Sequence, residues 1–504
     1  MNFFFRIRSC LLSRVAVLLL VATPLAAQSS TSTFAFADRG GVSRSSPGTA
    51  QTLSVGSVGL RFNGAIPEGL ALFGLRENAA LVSEVSVPAA NLINAGRIYA
   101  EVGNGVDTGI AIVNSSNAPV DVAFYFTDES GMQRSADVLT IPPKGQISKF
   151  LSQAPFNGGA AFRGTFTFFT LRNDPYLTIG AVALRGFVNS RGEFMMTTLP
   201  VTPVGERGLF SGNTIPHFAS GSGWSSEVIL VNPTDTDLDG TISFIDTAGS
   251  PAIVGADAGT GSSFAYRVAR RSSFRLKTAA TGSLLTGSVR LSPSRPQSES
   301  PVSFVLFSLQ QNGVTVAETG VPPARSSSAS RIFVEGSGLF DAGQAGSLGT
   351  AIAISNADSF ATTDVSMDIT GLNGISNGFH GTLSIPPGGQ VARFLNQIPG
   401  FESLPSSFQG VLRMSTSNPV TVMGLRMRYN ERQEFLVTTS PPVSENDSYF
   451  DAALRYSDFV FPIFADGGGY TTQFILFSGW MPGATNGTFE FLTNTGTPYP
   501  ITLQ

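Results

Sequence analysis

Three aspartates at alternate positions form the part of this sequence that most resembles a metal site. Asp235, Asp237 and Asp239 precede Gly240, and Asp246 occupies the twelfth position counted from Asp235. Calcium loops use this spacing, because a hard cation needs several oxygen ligands and a glycine at the sixth position permits the turn. The alternative, which we favour, is a solvated turn between strands, since residues 241–245 resemble a strand and position twelve is usually glutamate.

Two aromatic residues give a second candidate site. Trp224 and Tyr470 each end a glycine-rich segment and precede a pair of Ser or Thr residues. An aromatic ring on a flexible rim can stack on a sugar, so the two positions suggest a carbohydrate-binding site. We prefer the alternative that each ring closes the end of its own domain, because large aromatic side chains are usually buried.

Residues typical of catalytic sites are scarce. The chain contains two histidines and one cysteine, and it has no phosphate-binding loop. Arginine and glutamate recur together beside short turns, which predicts cross-strand ion pairs rather than the paired acids of a glycosidase. These pairs are Arg76 with Glu84, Arg185 with Glu193, and Arg428 with Glu434. We therefore predict a non-enzymatic protein that needs no cofactor other than the calcium considered above.

The first 27 residues predict a secretory signal peptide. Arginines at positions 6, 8 and 14 accompany an apolar run over residues 15–21, and small residues end the segment at Ala26 and Ala27. The cysteine, Cys10, lies inside this segment, so the exported chain would contain no disulfide. We expect a secreted or cell-surface protein without a transmembrane segment, since no later stretch offers about 20 continuous apolar residues.

The charge of the chain argues against nucleic-acid partners. The full sequence has 31 basic and 35 acidic side chains, and removal of the signal peptide takes away three arginines and no acid. The exported chain is therefore mildly acidic, and it lacks the clusters of lysine and arginine that bind phosphate backbones or membrane surfaces.

Internal repeats organise nearly all of the chain after the predicted signal peptide. Residues 139–155, LTIPPKGQISKFLSQAP, recur at 383–399 as LSIPPGGQVARFLNQIP. We assign these two copies to type A units over residues 92–204 and 330–445. A related type B unit covers residues 208–324, because Asn114, Phe126, Asp128 and Gly131 have the same spacing as Asn232, Phe244, Asp246 and Gly249.

The two ends of the chain match opposite halves of the type B unit. Residues 461–477 align without a gap on 215–231, and residues 72–88 align on 306–322. We predict that residues 448–504 form the first half of a fourth unit and residues 28–90 the second half. The halves can join within one chain or between chains in a head-to-tail filament. We favour the monomer, because the tethered half has a high effective concentration.

Strand patterns dominate within the units. Residues 120–126 and 241–245 are rich in β-branched and aromatic side chains and are bounded by turn residues. The fold class we predict is all-β, with tandem immunoglobulin-like β-sandwich repeats of alternating types A and B and one unit split between the termini. The best helix candidate, Gln146 to Gln153, is only one or two turns long.

The repeated motifs resemble a repeat family of exported bacterial proteins. The resemblance rests on IPPKGQ, FLSQAP and EFMMTTLP in type A, and on GGGYTTQFILF and VSFVLFSLQQNGVTVAETGVP in type B. It implies an extracellular β-rich module and identifies no functional residue.

These observations predict a secreted, non-enzymatic structural or binding protein whose partner is an extracellular protein or a glycan. One alternative is a carbohydrate-binding accessory protein that uses Trp224 and Tyr470. A secreted hydrolase is the less favoured alternative, because histidine, lysine and cysteine are so rare.

Overall fold

The computed structural model describes residues 29–171, 178–205, 214–295, 299–322, 324–446 and 458–504. In these ranges the chain consists of antiparallel strands and two short 3-10 helices, Phe340–Ala342 and Leu395–Gln397. The prediction of an all-β chain of sandwiches is confirmed. The predicted signal peptide lies outside the described residues, and the repeat alternation and the unit boundaries stay predictions.

The strands before residue 90 are β1 (Thr31–Phe36), β2 (Gly41–Ser45), β3 (Ser54–Gly64), β4 (Pro67–Glu77) and β5 (Ala80–Pro88). What we name unit 1 contains β6 (Leu92–Ile93), β7 (Ala95–Gly103), β8 (Val106–Asn114), β9 (Val120–Asp128), β10 (Gln133–Ile141), β11 (Gln146–Phe150), β12 (Phe162–Thr170), β13 (Ile179–Val188), β14 (Phe194–Leu199) and β15 (Thr202–Pro203). Its main strand order is β10-β9-β12-β7-β8-β13-β14.

Unit 2 contains β16 (Thr214–Ser220), β17 (Trp224–Val231), β18 (Leu238–Asp246), β19 (Val254–Ala256), β20 (Gly259–Gly261), β21 (Ser263–Val268), β22 (Ser273–Lys277), β23 (Leu285–Pro293), β24 (Val302–Gln311) and β25 (Val314–Val321). Unit 3 contains β26 (Ser327–Gly336), β27 (Leu348–Ser355), β28 (Thr363–Gly371), β29 (Ser376–Ile385), β30 (Gln390–Phe394), β31 (Phe408–Tyr429), β32 (Phe435–Ser440) and β33 (Val443–Ser444). The long strand β31 belongs to both sheets of unit 3.

The two ends of the chain together form a fourth sandwich, the terminal unit. The last strands are β34 (Asp458–Asp466), β35 (Tyr470–Ser478) and β36 (Thr485–Thr493). They alternate with N-terminal strands in the orders β1-β36-β3-β34 and β2-β35-β4-β5. Unit 2 has the corresponding orders β21-β18-β23-β16 and β22-β17-β24-β25. The strands from the two ends therefore pair within one chain, with Phe36 opposite Thr485 and Phe73 opposite Thr472.

The helix expected near Gln146 is absent from this described segment. Residues Gln146–Phe150 form β11, which pairs with β8 so that Gln146 lies opposite Val113. Only a turn follows, over Leu151 to Phe156. The helix expectation was wrong because sheet pairing with β8 satisfies the backbone of this short segment, and an isolated helix of one or two turns is unstable.

One sheet in unit 2 and one in the terminal unit are buried on both faces. In β17, Val228 and Leu230 pack in the core of unit 2, whereas Ile229 and Val231 pack in the core of unit 1. In β35, Phe474 and Leu476 point into the terminal unit, whereas Ile475 and Phe477 meet Phe333 and Val411 of unit 3. Burial of both faces explains why these strands are continuously apolar instead of alternating.

The four units form a closed ring. The core of unit 2 extends to Met423 and Leu425 of unit 3, and the core of the terminal unit extends to Val182 and Met196 of unit 1. With the two contacts described above, every unit packs against two neighbours. The last long strands of the units, β5, β14, β25 and β32, also contact one another, which brings them together at the centre of the ring.

The recurring IPP turn contacts the neighbouring unit. A side chain at Gly249 would approach the Pro387 carbonyl oxygen to 2.3 Å, and one at Gly496 would approach the Pro143 oxygen to the same distance. Both glycines also have positive φ angles, 90° and 81°. The hairpin turns at Gly249 and Gly496 each pack against the IPP turn of an adjacent unit. This packing explains why the hairpin glycine and the IPP motif both recur.

Candidate functional site

The four aspartates of the calcium hypothesis are not brought together. Asp235, Asp237 and Asp239 lie at or near the start of β18, whereas Asp246 ends it. At about 3.3 Å per residue, the strand separates its two ends by about 26 Å. Asp246 accepts hydrogen bonds from the backbone N–H groups of Ala248 and Ser250 in its own hairpin turn. An EF-hand-like loop does not form, because its second half is an extended strand.

Two of the remaining aspartates have arginine partners. Asp235 binds Arg271, and Asp237 lies 2.9 Å from the guanidinium of Arg267. Hydrogen bonds from these arginines lower the pKa of both carboxyl groups. Across the described ranges, no three His, Cys, Asp or Glu side chains form a group that could hold a metal ion. Calcium binding therefore stays a prediction that rests on spacing alone.

Trp224 and Tyr470 are both half-buried. Trp224 makes an edge-to-face contact with Phe435 of unit 3, with 6.2 Å between ring centroids and an interplanar angle of 86°. Tyr470 packs against the core of the terminal unit, and burial raises the pKa of its hydroxyl. Trp224 thus takes part in the contact between units 2 and 3. Sugar stacking by these two rings stays a prediction.

The recurring arginine and glutamate residues pair across units. Arg185 of unit 1 binds Glu318 of unit 2 at 2.6 Å, and Arg426 of unit 3 binds Glu84 of the terminal unit. Arg76 pairs with Glu431 of unit 3. The three predicted pairs are wrong, since Arg76, Arg185 and Arg428 bind Glu431, Glu318 and Glu84 instead. The strands that carry these residues meet at the ring centre, so the nearest opposite charge belongs to another unit.

Units 1 and 3 also exchange ion pairs at the centre. Arg191 binds both Glu193 of its own unit and Glu434 of unit 3, and Arg432 reciprocally binds Glu434 and Glu193. Asn189 and its counterpart Asn430 each donate a side-chain hydrogen bond to the glutamate four residues later. These four charged groups therefore form a closed cluster that uses both oxygens of each carboxylate.

The two buried glutamates that join neighbouring units differ in charge environment. Burial raises the pKa of Glu84, but the charges of Arg426 and Arg428 outweigh this effect, and the net pKa is lowered. Burial also raises the pKa of Glu318, and Arg185 offsets this only in part because Glu227 adds a like charge, so the net pKa is raised. Glu84 therefore faces two arginines, whereas Glu318 faces one arginine and a second carboxylate.

An open groove in unit 3 is the clearest candidate for ligand binding. Residues 337–347 connect β26 to β27 in unit 3, whereas only Asn104 and Gly105 connect β7 to β8 in unit 1. The longer loop covers one side of a groove of about 350 Å³. The other side is formed by residues 394–408, which include the 3-10 helix Leu395–Gln397.

Local packing holds the loop in place. The ring of Phe340 lies 5.1 Å from that of Phe394 and 5.2 Å from that of Tyr429. A side chain at Gly349 would approach the Phe340 ring to 2.9 Å, so this close contact requires glycine. The side chain of Asn396 donates a hydrogen bond to Asp341 across the groove. The loop is thus joined to both neighbouring segments.

The groove has aromatic walls and acidic groups. Its lining includes the half-buried rings of Phe340, Phe394 and Phe408, together with the carboxylates of Glu335, Asp341 and Glu402. These three acids are the charged side chains of the lining, which contains no lysine or arginine. Glu335 is 7% exposed and accepts hydrogen bonds from Arg426 and Gln409, whereas Asp341 and Glu402 are exposed.

The sequence reasoning did not identify this groove. A comparison of loop lengths in the two type A copies was the available signal, since residues 337–347 have no counterpart in the first copy. Phe340, the aromatic residue of that insertion, was not singled out because neither periodicity nor a motif marks it.

Comparisons with known proteins do not identify a relative. No protein-family model matches the sequence, and no curated protein matches it. Structures with partial similarity include the T13 IBDV viral particle, at 9% identity over 80% of this chain and 81% of that chain with a TM-score of 0.12. Another is a GH78 family rhamnosidase of Bacillus sp. GL1, at 10% identity over 70% and 56% with a TM-score of 0.13. Scores this low carry no argument about fold or function.

Proposed function

We propose that this chain is a secreted, non-enzymatic binding protein that acts outside the cell or on its surface. The proposal rests on the groove of unit 3, which combines aromatic walls with two exposed carboxylates, and one of these, Asp341, lies on a loop that unit 1 lacks. Such combinations of apolar surface and a few polar groups are typical of ligand sites. The signal-like N-terminal segment supports export.

The buried ion pairs support a binding rather than a catalytic role. Glu84, Glu193, Glu318 and Glu434 all bind arginines that join units, so they stabilise the ring. In the groove, both oxygens of Glu335 accept hydrogen bonds, one from Arg426 and one from Gln409.

Among the described residues, no helix is long and apolar enough to cross a membrane.

An array of extracellular proteins, peptides and glycans tests the proposal. The exported protein is compared with a variant in which Asn-Gly, the turn of unit 1, replaces residues 337–347. We expect the variant to lose array binding. The point variant Glu402→Arg, on an exposed side chain, serves as a second test that leaves the Phe340 packing intact. Retained binding by both variants would refute the groove as the binding site.

The same array addresses the carbohydrate alternative. Loss of glycan binding in Trp224→Ala, with no loss in the loop variant, would support the aromatic residues as the site instead. Export is checked separately, since mass spectrometry of the secreted protein is expected to show a chain that starts near Gln28.

A further inference from the structure

The groove of unit 3 is missing a positive charge that the corresponding place in unit 1 contains. Glu101 in unit 1 and Glu335 in unit 3 occupy equivalent positions, since the backbone N–H of each donates to a threonine hydroxyl at 3.0 Å. In both units an arginine binds the glutamate, Arg185 in unit 1 and Arg426 in unit 3.

The second partner of the glutamate differs between the units. Arg163 lies directly opposite Glu101 in the sheet and approaches it to 3.2 Å. Gln409 lies directly opposite Glu335 in the same register and donates a hydrogen bond of 3.0 Å. Unit 3 therefore has a neutral amide where unit 1 has a guanidinium.

Unit 3 also adds negative charge around this position. Asp341 lies on the longer loop, and Glu402 lies on the opposite side of the groove. Both are exposed, and their hydrogen-bond donors, Asn396 and the backbone N–H of Gly400, are neutral. The rings of Phe340, Phe394 and Phe408 line the same space. A cationic group is attracted both by carboxylates and by aromatic faces.

We propose that the groove of unit 3 binds an arginine side chain from an extended segment of a partner protein. The guanidinium would lie between the carboxylates of Asp341 and Glu402, and its aliphatic stem would pack on the phenylalanine rings. Arginine fits better than a sugar, because two of the acids in the lining, Asp341 and Glu402, have neutral hydrogen-bond donors, and a planar guanidinium can bind carboxylates through two donors at once. This inference rests on the proposed function and specifies its ligand.

The test uses two labelled pentapeptides, Gly-Ser-Arg-Ser-Gly and the same peptide with citrulline in place of arginine. Citrulline keeps the shape of the side chain and removes its charge. Fluorescence polarisation with the exported protein at low salt is expected to show binding of the arginine peptide that is about tenfold tighter or more. Equal binding of the two peptides, or none of either, would overturn the proposal.

Three variants locate the site. Gln409→Arg gives unit 3 the arginine of unit 1, and we expect it to weaken arginine-peptide binding about tenfold by supplying an internal competitor. Asp341→Asn combined with Glu402→Gln is expected to abolish the preference for arginine over citrulline. Arg163→Gln gives unit 1 the same glutamate and glutamine pair as unit 3, but unit 1 still lacks the loop that contains Asp341. We therefore expect this variant to bind one peptide per chain, as the unchanged protein does. Unchanged binding in the first two variants, or a second peptide bound by the third, would refute the site.

The outcomes separate this inference from the proposed function. If loop replacement removes array binding but the two peptides bind equally, the groove is a binding site and the arginine specificity is wrong. If loop replacement and Glu402→Arg both leave array binding intact, the proposed function of the groove fails whatever the peptides do. Binding of glycans alone in the array would contradict the protein partner and leave the groove as a site.

Discussion

Replacement of Arg426 tests whether the central ion pairs hold the ring together. This arginine is 5% exposed, and its guanidinium binds Glu84 of the terminal unit and Glu335 of its own unit. In Arg426→Met the side chain keeps much of its length but loses its charge. Two buried carboxylates would then lose their main counterion, with Arg428 remaining near Glu84 at 3.9 Å.

The expected cost follows from desolvation. Removal of one partner from a buried ion pair typically costs about 3 to 5 kcal/mol, because the other charge stays buried without compensation. Arg428 near Glu84 and Gln409 beside Glu335 offset part of this cost. We therefore expect Arg426→Met to lower the free energy of unfolding by about 3 kcal/mol. The exposed pair of Arg134 with Asp128 provides a matched control, and Arg134→Met is expected to cost under about 1 kcal/mol.

Urea unfolding followed by tryptophan fluorescence measures both variants. A double variant, Arg426→Met with Glu84→Gln, should lose less stability than the sum of the two single variants, because the pair is removed together. Addition of salt should weaken the exposed pair more than the buried one. If Arg426→Met loses no more stability than Arg134→Met, the ion pair does not stabilise the ring and the reasoning is refuted.

Four further predictions concern pH, packing, assembly and calcium. Burial lowers the pKa of His217 from 6.5 to about 4, so the unfolded chain binds the proton more readily than the folded chain. The free energy of unfolding should therefore fall by about 2 kcal/mol as the pH drops from 7 to 4.5. Urea titrations should show no such dependence for His217→Ile, which introduces the residue found at the aligned position 463. Gly320→Ala should destabilise the fold by about 2 kcal/mol and lower the melting temperature, because the new methyl group would meet the Thr198 carbonyl oxygen at 1.9 Å. The control Gly255→Ala should have little effect on the melting temperature, because the nearest atom to its methyl group would be 3.6 Å away. Light scattering should give the mass of one chain at every dilution, since the terminal unit closes within the chain; a mass that rises with concentration would indicate strand exchange between chains. Millimolar calcium should leave the melting temperature unchanged, because Asp235 and Asp237 already pair with arginines; a rise that Asp237→Ala abolishes would establish the calcium site.

Much of the fold could be predicted from local patterns. Alternating apolar residues, frequent glycine turns and scarce helix signals indicate sandwiches, because strand periodicity depends on residues only two positions apart. Matching segments at residues 215–231 and 461–477 indicated that the two ends carry halves of related units. The helix predicted near Gln146 was wrong, since the pairing of this short segment with β8 depends on residues more than thirty positions away.

Side-chain partners could not be predicted in the same way. Glu84 and Arg426 are far apart in sequence, and nothing local indicates that β5 and β31 meet. The expected hairpin pairs were wrong for this reason. Trp224 likewise had two interpretations from sequence, and the packing against Phe435 depends on the contact between units 2 and 3.

The sequence by itself determined the all-β class, the repeated segments and the scarcity of residues used in catalysis, because these properties depend on composition and on neighbours along the chain. Only the tertiary structure decided that the units close into a ring, that Arg185 and Arg426 join different units, and that the loop with Phe340 forms one side of an acidic groove. Those features depend on which surfaces meet when the two ends of the chain pair, and such distant contacts leave no local pattern in the sequence.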